Sequence, residues 1–319
     1  MVRGGYLVIN PSLRPRTYDR YEEILRLYAL PRWSTVPIVR LEARDIEAAY
    51  GELPLAKAAR VHAVLRPMLK YCYRKRWIPT NPMDFVEAPK WTPRERDPIP
   101  EAHVAKILQA FRGTRWYALV ALALHTAMRP GELLALRWGD VDWKNRVLWV
   151  RRTLAQAGNN PVFAEPKTAQ SEAPVPLDRH AMAILRWHRW RQSKERPTWR
   201  EDHDLVFTAT DGSPVHANNW RRRVWYETLK NLGLPRYVPH QLRHTTATQL
   251  LAGKDAASVA AVSRRLRHAR ITTTLDMYTA AISQDEWRAA EKAGRLIREA
   301  SRRPRDRYDR QAGAGDGSN

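Results

Sequence analysis

The chain has 319 residues, with 55 Lys and Arg against 33 Asp and Glu, giving a formal net charge of +22. That length can hold two domains of ordinary size, and a hydrophobic content of 44% supports packed cores rather than a disordered chain. One cysteine excludes a disulfide scaffold and a cysteine-based zinc module, and no apolar run reaches the ~18 residues of a membrane span. The opening MVRGGYLVINPSLRPR also lacks the apolar stretch of ~7–15 residues found in a signal peptide. The expected setting is therefore the cytoplasm, without membrane contact. The charge excess asks for a polyanion, nucleic acid foremost, with a solubilising or ribosome-associated role as the bland alternative.

Residues 1–11 read as an N-terminal extension without periodicity. From Pro15, Tyr18, Tyr21, Ile24, Leu25 and Tyr28 fall on one helical face, and Pro31 is expected to stop that helix. A short helix follows near 43–50 and a long one over 55–76. The long helix carries Val61, Leu65, Met68, Leu69 and Cys72 on one side. Lys57, Arg60, Arg66, Lys70, Arg74, Lys75 and Arg76 occupy its other positions, so one face can be buried and the other laid on phosphates. Between Ile78 and Pro100 six prolines alternate with charges, which predicts an extended, poorly packed connection, with the linker proper at 89–99.

The following region is mainly helical. Its patterns predict helices at 101–111, 115–127, 130–137, 178–194, 217–232, 240–252, 256–266, 271–279 and 284–299. Short strand-like runs at 147–150, 162–164 and 173–177 suggest one small antiparallel sheet. Residues 301–319 have the composition of a disordered tail.

Four stretches of this region carry chemistry. In TAMRPGEL an apolar helix ends and Pro-Gly starts a new one, placing Arg129 beside a helix N-terminus where an anion is favoured, with Glu132 three residues on to orient it. EPKTAQSEAPVPL reads as a hairpin whose turn begins at Lys167, and a lysine on a flexible turn can reach into a cleft and donate a proton. In PHQLRH a helix starting at His240 puts His240, Arg243 and His244 on one face and Leu242 toward the core. Zinc on the two histidines is disfavoured, because no third ligand suggests itself and the Glu of a metalloprotease helix is missing. In LRHARITTTLDMYT, His268 ends one helix and Tyr278 lies near the end of the next.

The order Arg, Lys, His-x-x-Arg, His and then Tyr ten residues later resembles the tyrosine recombinase family of phage, Xer and Cre enzymes. PHQLRHTTATQLL, LRHARITTTLDMYT and TAMRPGELLALRWGDVDW are the most specific matches, and LRPRTYDRYEEILRLYALP with KYCYRKRWIPTNPMDFVEAPK is similar to the family's core-binding domain. The resemblance implies a mainly α, two-domain protein with the DNA breaking-rejoining enzyme fold. An all-helical core-binding domain spans 12–88, and a mostly helical catalytic domain with a small antiparallel sheet spans 100–300.

The resemblance further implies a metal- and ATP-independent, site-specific DNA recombinase or integrase that works through a 3′-phosphotyrosyl intermediate and needs no cofactor. By position Tyr278 matches the nucleophile, Arg129 and Arg243 the phosphate-binding arginines, and Lys167 the hairpin lysine. His240 and His268 match the two histidine positions, and Glu132 the support of the first arginine. Double-stranded DNA would be held by Lys57, Arg60, Lys70, Arg74, Lys75, Arg76, Arg221 and Arg222. The free monomer would assemble into a homo-tetramer at synapsis, in a nucleoid-associated setting where accessory DNA-bending factors can act. An amphipathic stretch at 282–300 is available for exchange between subunits.

Two positions depart from the pattern: Arg267 stands where the family commonly has Gly, and Ala173 where a basic residue often follows the hairpin lysine. Too few residues precede the core-binding stretch for the arm-binding domain of many integrases, which implies a simpler type or a chain starting after that domain. A non-catalytic DNA-binding protein, a type IB topoisomerase-like enzyme and a metal-dependent nuclease are the rival readings.

Overall fold

Aromatic and aliphatic residues spaced three and four apart form the first helix, α1 (Pro15–Ile24), which runs through a π turn (Leu25–Ala29) into α2 (Leu30–Trp33). The expected stop at Pro31 is thus not observed. A proline removes one donor and crowds the carbonyl one turn back, and the wider π turn directly before it relaxes the ladder at that place. The computed structural model describes residues 15–92, 97–157, 160–164, 174–252, 258–267, 271, 272 and 274.

Helix α3 (Ala43–Gly51) opens with a capping box, in which the Glu42 amide donates to Asp45 Oδ2 at 3.0 Å. Helix α4 (Leu55–Arg74) then buries Val61, Leu65, Leu69 and Cys72 against Ile24, Leu25 and Ile46. The same cluster takes in Ile78, Met83 and Val86, so the first third of the proline-rich stretch is packed, contrary to expectation. Its apolar residues alternate with the prolines and find the open side of this cluster.

The far end of the stretch is also held. Ile99 is buried in the second, larger core, its amide donates to Thr245 Oγ1 at 2.8 Å, and the Asp97 carbonyl accepts from Gln241 Nε2 at 3.0 Å.

That larger core is organised around α6 (Tyr117–Thr126), which is apolar on every side and accordingly buried on every side. Around it lie α5 (Glu101–Phe111), α7 (Pro130–Leu134), α8 (Arg179–Glu195), α9 (Ala217–Trp220) with its π turn (Arg221–Trp225) and α10 (Tyr226–Asn231). Phe111 stacks on Trp225 with ring centroids 6.0 Å apart. Helices α11 (His240–Leu251) and α12 (Val259–Leu266) share a small third cluster, in which Ala247, Leu251, Val262 and Leu266 surround Ala127 at the end of α6.

Two small antiparallel sheets replace the single one expected. Strands β1 (Val141–Asp142), β2 (Val147–Trp149) and β5 (Pro174–Pro176) pair in the order β1-β2-β5, with Leu148 opposite both Val141 and Val175. Strands β3 (Thr153–Ala157) and β4 (Asn160–Ala164) form a separate hairpin. Of the segment 165–177, expected to form a hairpin turning at Lys167, residues 165–173 lie outside the described residues, and its described end forms β5 on the edge of β2. The prolines of β5 lack amide donors and sit at a sheet edge, where that loss is tolerated. No helix of the described residues is long and apolar enough to cross a membrane.

Candidate active site

Three sequence segments meet beside the third cluster: the turn from α6 into α7, the first turns of α11, and the C-terminal end of α12. Each is shaped by local chemistry. Ala127 ends α6 in the left-handed region at φ 52°, and Thr126 Oγ1 braces the bend by donating to the Leu122 carbonyl at 2.6 Å and accepting from the Met128 amide at 3.2 Å. Pro130 suits the first turn of α7, where no amide donor is needed. Gly131 lies against β3: a Cβ there would stand 2.7 Å from Thr153 Oγ1 and 2.9 Å from the Leu154 carbonyl oxygen.

Glu132 is the hub of this turn. It accepts the Arg129 backbone amide on Oε2 at 2.9 Å and Arg129 Nη1 on Oε1 at 2.8 Å, as the sequence anticipated. Its Oε2 also accepts from Nη2 of Arg267, a partner the sequence reading did not supply. The side chain of Glu132 is 6% exposed and that of Arg267 1%, whereas Arg129 keeps 41% of its side chain open. Burial by itself pushes the Glu132 carboxyl up, but the charge of Arg267 and the bonds from Arg129 outweigh it and hold the group below the ordinary carboxylate range. Burial pulls the Arg267 guanidinium down, and the Glu132 charge opposes that shift.

Arg243 is buried at 4% exposure. Its Nη1 donates to the Ala127 carbonyl at 2.5 Å, and its Nη2 donates to the Leu266 carbonyl. One guanidinium thereby joins the turn that carries Arg129 to the last residue of α12. Leu242 faces the core as expected. His240 begins α11 and is exposed, and His244 one turn on is half-buried. Thr246 Oγ1 adds a further tie to the Leu124 carbonyl at 2.8 Å, and Arg265 Nη2 donates to the His125 carbonyl.

Arg129, Glu132, His240 and Arg243 thus lie on adjoining elements of one region. Lys167, His268, Tyr278 and the departing position Ala173 lie outside the described residues, as do the predicted helix 284–299 and most of the helix 271–279. Among the expected DNA contacts, Lys57, Arg60, Lys70, Arg74, Lys75 and Arg76 are exposed on or just after α4, and Arg221 and Arg222 on the π turn after α9. Lys57 Nζ is already engaged, donating to the Tyr28 hydroxyl at 2.5 Å. Sequence reasoning registered Arg267 only as a departure; the missing signal was its partner, which lies 135 positions away in the chain.

The model of the phage integrase family matches residues 99–284. This chain belongs to the phage integrase family. As a tyrosine recombinase it is an enzyme of site-specific DNA recombination, cleaving and rejoining DNA strands. A XerC-like tyrosine recombinase of Caldanaerobacter subterraneus subsp. tengcongensis is 28% identical over 317 residues, covering 91% of this chain and 80% of its own length. An integrase of Streptomyces ambofaciens is 24% identical, covering 82% of this chain and 71% of its own length. In fold, the recombinase is similar to the Tn1549 transposon integrase, solved in complex with transposon right-end DNA. That match has a TM-score of 0.73 at 21% identity and covers 89% of this chain and 96% of the other.

Proposed function

We propose that this recombinase cuts and rejoins duplex DNA through a covalent bond between a DNA 3′-phosphate and Tyr278. The observation that carries the reading is the joint arrangement of Arg129, Glu132 and Arg243: a carboxylate orients one guanidinium while the other ties the same turn to the residue two before His268. Transfer of the phosphoryl group places growing negative charge on the nonbridging oxygens. Two guanidiniums with histidine donors stabilise that charge without a metal.

In the proposed step the Tyr278 oxygen attacks the scissile phosphorus and the bond to the 5′-oxygen breaks. Lys167 gives that oxygen a proton, and a histidine or a phosphate oxygen takes the phenol proton. A free phenol with a pKa of about 10 is mostly protonated near neutrality, and cations brought close to it in the proposed site would favour the attacking phenolate. His240 and His268 are assigned to phosphate contact or proton transfer. Rejoining reverses the step with another strand's 5′-hydroxyl, so the phosphotyrosyl bond conserves the energy of the broken linkage.

Residues 12–88 are assigned as a helical core-binding domain and 100–300 as the catalytic domain, joined by 89–99 and closing on the duplex as a clamp. Two separate hydrophobic clusters, one holding Leu65 and Leu69 and the other Leu122 and Leu133, support this division. The basic face of α4 and Arg221 and Arg222 would contact the phosphate backbone, which anchors the protein without reading sequence. Exchange is assigned to a homo-tetramer on two duplexes that trades the 282–300 segment between subunits, at the nucleoid and open to DNA-bending partners.

The test is a suicide substrate nicked next to the cut site, resolved by denaturing electrophoresis. A covalent protein–DNA band is expected in EDTA and absent from Tyr278→Phe, which should still bind DNA. A band that persists in Tyr278→Phe overturns the reading.

A further inference from the structure

Arg267 occupies a conformation that disfavours it. It ends α12 at φ 53°, in the left-handed region that glycine enters freely and residues with a Cβ enter at a cost. Its guanidinium is nonetheless buried against Glu132, and its Nη1 reaches the Arg265 carbonyl at 3.3 Å. A long cationic side chain at such a backbone position, turned inward onto the carboxylate that holds Arg129, is not accounted for by packing of α12, whose apolar contacts are made by Val262 and Leu266.

Charge accounts for it. Arg129 and Glu132 alone make a neutral pair, in which the buried carboxylate competes with any substrate phosphate for the Arg129 guanidinium. With Arg267 the cluster is Arg–Glu–Arg and carries a net positive charge, while the exposed member remains Arg129. Both oxygens of Glu132 are filled, so the carboxylate fixes Arg129 through its backbone amide and Nη1 together. From these contacts we infer that Arg267 is a positioning residue for strand cleavage: it balances the Glu132 charge so that Arg129 is both oriented and left electrically available to the scissile phosphate. The inference rests on the assignment of Arg129 to that phosphate.

Glu132 is faced by Arg129 from its own turn and by Arg267 from the end of α12, while Arg243 from α11 bonds the backbone at Ala127 and Leu266 on either side. Removing Arg267 takes away the charge that most opposes the burial of Glu132 and leaves that burial in place. The carboxyl then protonates at a higher pH and releases Arg129 there.

The experiment is single-turnover formation of the covalent complex on the nicked substrate at saturating DNA, across pH, for wild type, Arg267→Gly, Arg267→Gln, Glu132→Gln and Arg267→Gly/Glu132→Gln. Arg267→Gly relieves the backbone and removes only the side chain, and it should slow cleavage by about tenfold near neutrality. The acid limb of its pH–rate profile should move to higher pH, and its loss should not multiply with that of Glu132→Gln. Should Arg267→Gly fail to fold, Arg267→Gln, which keeps a polar group without the charge, should show the same displaced limb. A wild-type rate at every pH overturns the inference. So does a uniform slowing whose factor multiplies with that of Glu132→Gln, which would mark a merely structural role. Undiminished cleavage by Arg129→Ala would instead overturn the assignment on which the inference stands.

Discussion

Nη1 of Arg243 donates to the carbonyl of Ala127 at 2.5 Å, across 116 positions of the chain. The acceptor belongs to the left-handed residue that turns α6 toward Arg129, so one of the two arginines proposed to hold the phosphate sets the backbone that presents the other. Arg243→Lys replaces a planar fork by a single ammonium, which cannot span the Ala127 and Leu266 carbonyls in the same way. Covalent complex formation should fall by on the order of a hundredfold or more, the scale of losing one preorganised charge-stabilising donor. The melting temperature should fall as well, because a buried carbonyl left without its donor costs about 1–3 kcal/mol. A variant with normal stability but no cleavage would show that the backbone ties are dispensable.

His188 offers a pH test remote from the chemistry. It is packed between Trp138 and Phe207, and its Nε2 donates to the Val206 carbonyl at 2.7 Å. Burial lowers its pKa to about 4, with Arg191 and Arg115 adding to the shift and the Val206 bond opposing it. The unfolded chain takes up this proton near pH ~6.5, so stability is intact above that value and is lost as pH falls toward the folded pKa. The loss amounts to roughly 3 kcal/mol. His188→Phe should retain the ring packing, since Gln192 Nε2 also donates to the Val206 carbonyl, and it should unfold in urea with a flatter pH dependence over the same range. An unchanged slope would assign the acid sensitivity to other groups.

Gly131 sets how closely α7 approaches β3. In Gly131→Ala the new methyl meets both a side-chain oxygen and a backbone oxygen of β3 inside contact distance, and the backbone oxygen cannot rotate away. Overpacking of this kind costs about 1–3 kcal/mol. Arg129 and Glu132 flank the displaced turn, so cleavage should drop further than the thermal shift alone explains. Gly131→Ala/Thr153→Ser removes no oxygen from the contact and should rescue neither property.

The sequence made the helices legible wherever a pattern was strong and local. The all-apolar run from Ala118 predicted the buried central helix, and the Arg129–Glu132 spacing predicted their bond. What it hid was non-local. The two sheets could not be told from one, because short runs such as 162–164 and 173–177 do not announce their partners, and β4 and β5 take different ones. Proline counts around 78–86 suggested an open linker, yet Ile78, Met83 and Val86 reach a core assembled by helices earlier in the chain. Arg267 looked like an irregularity at a glycine position, since nothing near it in sequence identifies Glu132 as its partner.

The basic face of α4 gives the last prediction. Binding driven by phosphate neutralisation weakens linearly in log salt, by about 0.9 in slope for each contact with duplex DNA. Lys70, Arg74 and Lys75 are exposed along the end of α4 and its cap, and changing all three to Gln should reduce the slope by about 2–3 while leaving the preferred cleavage position unchanged. Lys57 provides the internal contrast. Its ammonium already bonds the Tyr28 hydroxyl and lies 5.1 Å from that ring's centre, so Lys57→Gln should alter the slope by well under one contact. Affinities measured by anisotropy at several salt concentrations would decide it. A triple variant with the wild-type slope would remove this face of α4 from the DNA interface, and an equal effect of Lys57→Gln would mean that its bond to Tyr28 gives way when DNA binds.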